Sequence, residues 1–223
     1  LQTFKGPRIS TVDLMTQRLR MVRLTLVVIF MGMLITGMLG PVLARAQGPN
    51  SPHALVMTVD GIINSVKESF ISRAIDQAEE DGAELLIIQL DTPGGLLSST
   101  REIVELLLES PVPVAVYVSP KGARAGSAGT FITAAGNFAV MAPGTNIGAA
   151  SPISATGEDL DDTLASKVEN DAAALIRSIA QTRGRNQDKL EETVWTAASY
   201  SAQEALSDNV VDLIADDLED LLA

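Results

Sequence analysis

Apolar residues fall into two kinds of pattern along the chain. Short, nearly continuous apolar runs occupy Leu55–Val59, Leu85–Leu90, Val112–Val118 and Phe138–Met141. Runs of this length read as strands, and continuity means burial on both faces. Between them the spacing becomes helical. Val66, Phe70, Ile71, Ala74, Ile75 and Ala78 share one helix face, and Gly82 closes that stretch. Ile103–Leu108 reads as a helix ended before Pro111, and Gly126 to Ala135 as a small-residue helix buried all round. The last third is expected to be helical over Leu160–Gln181, Gln187–Thr196 and Ala202–Leu206, with a final strand at Val210–Ile214. Strand and helix alternate, which predicts an α/β domain on a parallel sheet with helical crossovers.

The N-terminal pattern is different. Arg18, Arg20 and Arg23 precede an apolar stretch from Leu24 to Leu39, and Ala44-Arg45-Ala46 follows. This order is that of a secretory signal or a retained N-terminal membrane anchor. Residues 1–46 are therefore assigned to that segment, 47–52 to a flexible leader and 53–223 to the folded domain. In either case the domain is expected to be exported, outside the cytoplasm and associated with the membrane.

Composition narrows the chemistry. The chain has 223 residues, no cysteine and one histidine, His53. Thiolate nucleophiles and multi-histidine metal sites are excluded. The net charge is −12, and residues 1–46 hold six of the 16 Lys and Arg but one of the 28 Asp and Glu, so the domain is more acidic than the whole. Such a surface repels phosphate backbones.

Two glycine-rich turns carry the candidate chemistry. Pro93-Gly94-Gly95 follows a buried strand and leaves backbone N–H groups accessible to a ligand. Gly122 to Gly129 joins the third strand to the small-residue helix and contains Ser127. A serine at a helix N-terminus is either a nucleophile favoured by the helix dipole or only an N-cap. A nucleophilic serine needs a base. His53 lies in the polar leader, Lys5 in the signal region, and Lys67 and Lys189 stand beside acidic residues. Lys121 precedes Ser127 in the loop. Lys167 falls at the edge of a stripe formed by Leu160, Leu164, Val168, Ala172, Leu175 and Ile179. It is either a lysine snorkelling at a helix boundary or a partly desolvated base.

Four segments, in order, give a resemblance that covers roughly residues 53–223. They are Asp91-Thr92-Pro93-Gly94-Gly95, Ala125-Gly126-Ser127-Ala128-Gly129-Thr130, Ala142 to Ala149, and Lys167-Val168-Glu169-Asn170 continuing to Gly184-Arg185-Asn186. Together they resemble the N-terminal protease domain of NfeD-family membrane proteins, ClpP-class serine peptidases related to signal peptide peptidase SppA. The resemblance implies a ClpP/crotonase-like fold of repeated β–β–α units with a helical C-terminal part. It implies a Ser–Lys dyad of Ser127 and Lys167, an oxyanion hole from the Gly95 and Ala128 amides, and a substrate lined by Gly94, Gly126 and Gly129. It further implies no metal or cofactor, cleavage of hydrophobic segments, a stomatin-like membrane partner and a homo-oligomer, most simply a dimer. Two rival readings use the same fold: a non-catalytic membrane scaffold, and a crotonase-type acyl-CoA enzyme that needs no serine and lysine together.

Overall fold

Five parallel strands make the main sheet, in the order β1 (Ala54–Asp60), β2 (Leu85–Asp91), β3 (Val114–Val118), β5 (Phe138–Met141) and β8 (Leu213–Ile214). The protein is seen here as a computed structural model that describes residues 52–152 and 161–223. The N-terminal segment, the leader up to residue 51, and Leu160 lie outside the described residues. Those described belong to one unit spanning Ser51–Ala223.

Alternation along the strands divides the core. Leu86, Ile88 and Leu90 of β2 face the helices, with Val114, Val116 and Val118 of β3 in the same cluster. Ile87, Ala115, Tyr117 and Val140 face the other way and form a smaller cluster with Ala142 and Ala215. Strands covered on both faces have to be apolar throughout, which is why these runs are nearly continuous.

A second, smaller sheet has the order β4 (Arg124–Gly126), β6 (Asn146–Gly148), β7 (Ser199–Ser201). Single bridges, Thr92 with Ala125 and Ile63 with Gly95, join the chain just beyond β2 and β1 to this layer. The repeat is thus a strand in the main sheet, a short step in the second layer, and a helix. β3, β4 and α3 (Ala128–Ala135) show it most completely. The other helices are α1 (Ser65–Asp81), α2 (Leu97–Glu109), α4 (Asp162–Arg183), α5 (Gln187–Trp195), α6 (Ala202–Ser207) and α7 (Leu218–Leu221). The fold is the expected one, with its helical C-terminal part. Helix α1 is capped by the Asn64 side chain and ended by Gly82 at φ 67°, as its pattern predicts.

Helix α2 begins at Leu97, ahead of the expected Ile103. Ser99 and Thr100 are buried in its first turn although polar, and the Thr100 hydroxyl donates to Leu96 O at 2.8 Å. The last strand is shorter than expected. Val210 and Val211 are buried but lie in a turn, and only Leu213–Ile214 pairs with β5.

Helices α4 and α5 are joined by a bidentate pair, Arg177 to Glu191. The hydrogen bond from Arg177 is the main reason the Glu191 carboxyl is held below its ordinary value. A carboxyl depressed in the folded state stabilises above its unfolded value of about 4.5, and that stabilisation is lost as pH falls through the folded value. Arg177→Met is therefore expected to lower the melting temperature at pH 7, with the gap to wild type closing in acid. Arg177 is 43 % exposed, so solvent screens the pair and the effect is small. Melting curves across acid and neutral pH check it.

Candidate active site

Ser127 sits between β4 and α3, at φ 49° and ψ −111°. A non-glycine residue with positive φ costs on the order of 1–3 kcal/mol and persists only when its surroundings fix it. Here they do. Its N–H donates to Gly148 O at 2.9 Å, and its carbonyl accepts from the Thr130 N–H at 2.9 Å. The Thr130 hydroxyl, wholly buried, lies 3.0 Å from Ala125 O and 3.1 Å from Gly148 O. The N–H is thus tied to the second sheet directly, and the carbonyl to Thr130, whose hydroxyl is tied to that sheet. The Ser127 side chain makes no capping bond to α3, although it occupies the N-cap position. Of the two roles open to it in the sequence, capping is not the one it performs. The hydroxyl stands half-buried at the positive end of a fully buried helix.

Against it lies the Pro93-Gly94-Gly95 turn. A methyl group on Gly94, which has φ +123°, would come within 2.7 Å of Ser127 Cβ and 3.2 Å of its Oγ. The turn is fixed by its neighbours. The Gly94 N–H donates to Thr92 Oγ1 at 3.0 Å, Ile63 N–H to Gly94 O at 2.9 Å and Leu96 N–H to Ile63 O at 2.9 Å. The Gly95 N–H, between them, has no acceptor among the described residues. Ala128 opens α3, where a first-turn N–H has no intrahelical acceptor. Gly126 and Gly129 let the two turns approach. A Cβ on Gly126 would meet Pro93 O at 3.1 Å, and one on Gly129 would meet the Thr92 methyl at 2.7 Å. Gly129 is buried, so the space its missing side chain leaves is taken by Thr92.

The described lysines separate clearly. Lys67 pairs with Asp60 at 3.2 Å. Lys121 pairs with Asp216 at 2.8 Å, and that hydrogen bond raises its pKa, the wrong direction for a base. Lys189 pairs with Glu192 at 3.1 Å and is raised for the same reason. Lys167 makes no ion pair among the described residues. It is exposed and lines an open depression with Thr163, Ser166, Asn170 and Asp171. His53 is exposed, at the start of β1.

One expectation about Lys167 fails. It does not border a buried stripe, because Leu164 is 48 % exposed. The buried face of α4 starts at Ala172 and runs through Ala173, Ile176, Ile179 and Ala180. Only from there does the helix have a packing partner in the main cluster. Lys167 and Ser127 make no hydrogen bond to each other.

Helix α4 is tied to its neighbours at two points. Its last residue, Arg183, bonds to the C-terminal ends of α2 and α3. Midway, Asp171 pairs with Arg101 of α2.

The NfeD1b N-terminal domain family matches residues 53–192. Membrane-bound protease PH1510 of Pyrococcus horikoshii is 40 % identical over 170 residues, covering 75 % of this chain and 38 % of that protein. The chain thus spans well under half the length of this relative. A lysine-to-alanine mutant of the 1510-N membrane-bound stomatin-specific protease, in complex with a substrate peptide, superposes with TM-score 0.72 at 38 % identity, covering 77 % of this chain and 79 % of that one. A serine-to-alanine mutant of the same protease gives 0.73 at 38 % identity, covering 78 % and 84 %. ClpP1 from Listeria monocytogenes, 17 % identical and covering 74 % and 92 %, shares the fold with TM-score 0.60.

Proposed function

The chain belongs to the NfeD1b N-terminal domain family, and from that premise we propose that it is a serine endopeptidase in which Ser127 is the nucleophile and Lys167 the general base. The observation that carries this is Ser127 itself: strained, tied at both backbone ends, and capping nothing. A hydroxyl held this way is free to attack. Lys167 takes the proton of Ser127 Oγ as the oxygen bonds to the scissile carbonyl carbon. The Gly95 and Ala128 amides donate to the resulting oxyanion; loss of one such donor typically costs on the order of 10²–10³ in rate. Protonated Lys167 then delivers the proton to the leaving amine; the neutral lysine draws a proton from the water that attacks the acyl-serine and returns it to Ser127 Oγ as the acid product leaves. That one relative was solved with a serine replaced and also with a lysine replaced supports the pairing.

Lys167 is open to water in the unliganded protein. An apolar substrate segment laid across the site displaces that water. The surroundings suit such a segment. Ile63 is buried, so its neighbour Ile62 points outward and is 64 % exposed. Leu96, next to Gly95, is 50 % exposed, and Val66 in the first turn of α1 is 69 % exposed. The proposed substrates are hydrophobic segments of membrane-associated proteins, a stomatin-like protein among them, since the relative's substrate is a stomatin homologue. Export through the segment preceding residue 47, membrane association and a dimeric assembly belong to the same proposal.

Cleavage of an apolar peptide from a stomatin-like protein, followed by mass spectrometry, tests the reading; products that form equally with Ser127→Ala would refute it. Substrate preference has its own test. Leu96 is the N-cap of α2 and makes no capping bond. Leu96→Ser supplies a cap while removing apolar contact. We expect KM for an apolar peptide to rise about tenfold, as loss of 1–2 kcal/mol of apolar contact requires, with no fall in melting temperature. Unchanged KM would place the substrate elsewhere.

A further inference from the structure

Arg183 makes two bonds that join different helices. Its Nε donates to Ala135 O at 2.8 Å, at the end of α3. Its Nη2 donates to Leu107 O at 2.9 Å, in the last turn of α2. The opposite ends of these helices carry the site. Helix α2 starts directly after Gly95-Leu96, and α3 directly after Ser127. Arg183 is itself the last residue of the helix that carries Lys167. One planar guanidinium therefore ties together the far ends of all three elements that meet at the proposed reaction centre.

The tie is reinforced. Two residues on, Arg185 has a side chain only 1 % exposed. Its Nη1 donates to Ala134 O at 2.7 Å and Gly136 O at 3.1 Å. Its Nη2 pairs with Asp212, whose carboxylate also accepts the Ala139 N–H at 2.7 Å as β5 begins. The location is adverse for a second cation: burial, and after it the charge of Arg185, push the Arg183 guanidinium below its ordinary value. A simple C-cap on one helix needs no such arrangement.

We infer that Arg183 is a positioning residue, fixing α2 against α3 along their axes and so setting the separation of the Gly95 and Ala128 amides. A helix of eight residues is a rigid rod of about 12 Å, so an axial slip at its C-terminal end reappears at its N-terminal end. Two carbonyls on different helices need the fork of an arginine; the single ammonium of a lysine satisfies one at a time. The inference rests on the serine peptidase reading for its functional consequence, though not for its geometry.

The test compares Arg183→Met and Arg183→Lys with wild type, well below their melting temperatures, in two ways. The first is amide chemical shift and hydrogen exchange. Both variants are expected to shift the Gly95 and Ala128 amides and speed their exchange, although these lie at the ends of α2 and α3 remote from Arg183. Changes confined to residues near Leu107 and Ala135 overturn the inference, whether or not any peptide is cleaved. The second is kinetic. Turnover number is expected to fall about tenfold to a hundredfold, the scale of a small misplacement of reacting groups. Peptide affinity measured in a Ser127→Ala background should be unchanged, and Arg183→Lys should not restore the rate. Turnover equal to wild type, or peptide affinity falling in step with turnover, overturns the inference. Absence of any Ser127-dependent cleavage by the wild type instead counts against the peptidase reading, and the amide measurement still decides the clamp.

Discussion

Ser127→Ala and Lys167→Ala are each expected to lower turnover of an apolar peptide by on the order of 10³-fold or more, and the double variant to be little worse than either. Groups that act as a unit lose most of their effect when the first is removed. The residual rate comes from backbone donors that neither change touches. Neither change is expected to disturb the fold. Ser127 holds a positive φ and caps nothing, so alanine there removes no capping bond and leaves the strain in place. Lys167 is exposed and makes no ion pair among the described residues, so its loss is expected to move stability by less than about 0.5 kcal/mol. Steady-state kinetics with urea denaturation of each variant reads both quantities. Lys121→Ala is the comparison. It removes an exposed pair with Asp216 and should leave turnover unchanged. If Lys121→Ala abolishes activity and Lys167→Ala does not, the base has been misassigned.

The main sheet was legible because its strands are buried on both faces. Burial forces apolar runs, and apolar runs are visible in one sequence: Phe138–Met141 is expected and observed with the same bounds. The second sheet was not legible. Its strands are three residues each, Arg124–Gly126, Asn146–Gly148 and Ser199–Ser201; each holds polar residues, and the first two end in glycine. Nothing periodic fits in three residues. That layer holds Ser127 directly through Gly148 O, and through Ala125 O and Gly148 O it holds the Thr130 hydroxyl, so the strain at the serine had no local signal either. Arg183 and Arg185 were hidden for another reason. A buried arginine that bonds to main-chain carbonyls on distant segments leaves no pattern near itself, although Gly184-Arg185-Asn186 was already part of the resemblance. The lysine helix shows the opposite error. Its stripe was read from Leu160 onward, but a helix buries a residue only where a partner exists, and among the described residues the packed face begins at Ala172.

Gly95→Ala is expected to disrupt both fold and activity, and for a reason different from most glycine substitutions. Its backbone conformation is not the obstacle; close approach is. An added Cβ would lie 2.1 Å from Ile63 O, 2.6 Å from Ile63 N and 2.7 Å from Ile63 C. All three are main-chain atoms, so no rotamer change relieves the contact. The segment must move, and two hydrogen bonds move with it: Ile63 N–H to Gly94 O and Leu96 N–H to Ile63 O, both 2.9 Å. Ile63 is wholly buried, so its side chain is drawn from the core at the same time. Overpacking costs about 1–3 kcal/mol and each weakened hydrogen bond about 0.5–1.5 kcal/mol. The sum is about 2–6 kcal/mol, a large share of a domain's stability. The amide proposed to hold the oxyanion lies on the displaced residue, so turnover should fall at least about a hundredfold even in the fraction that remains folded. Gly82→Ala is the control. Gly82 has φ +67° and nothing within 4 Å of an added Cβ, so only the left-handed backbone penalty of about 1–2 kcal/mol applies and activity should persist. Urea midpoints and turnover for the two variants give the comparison. Equal losses of stability would mean that the contact with Ile63 is not what requires glycine at position 95.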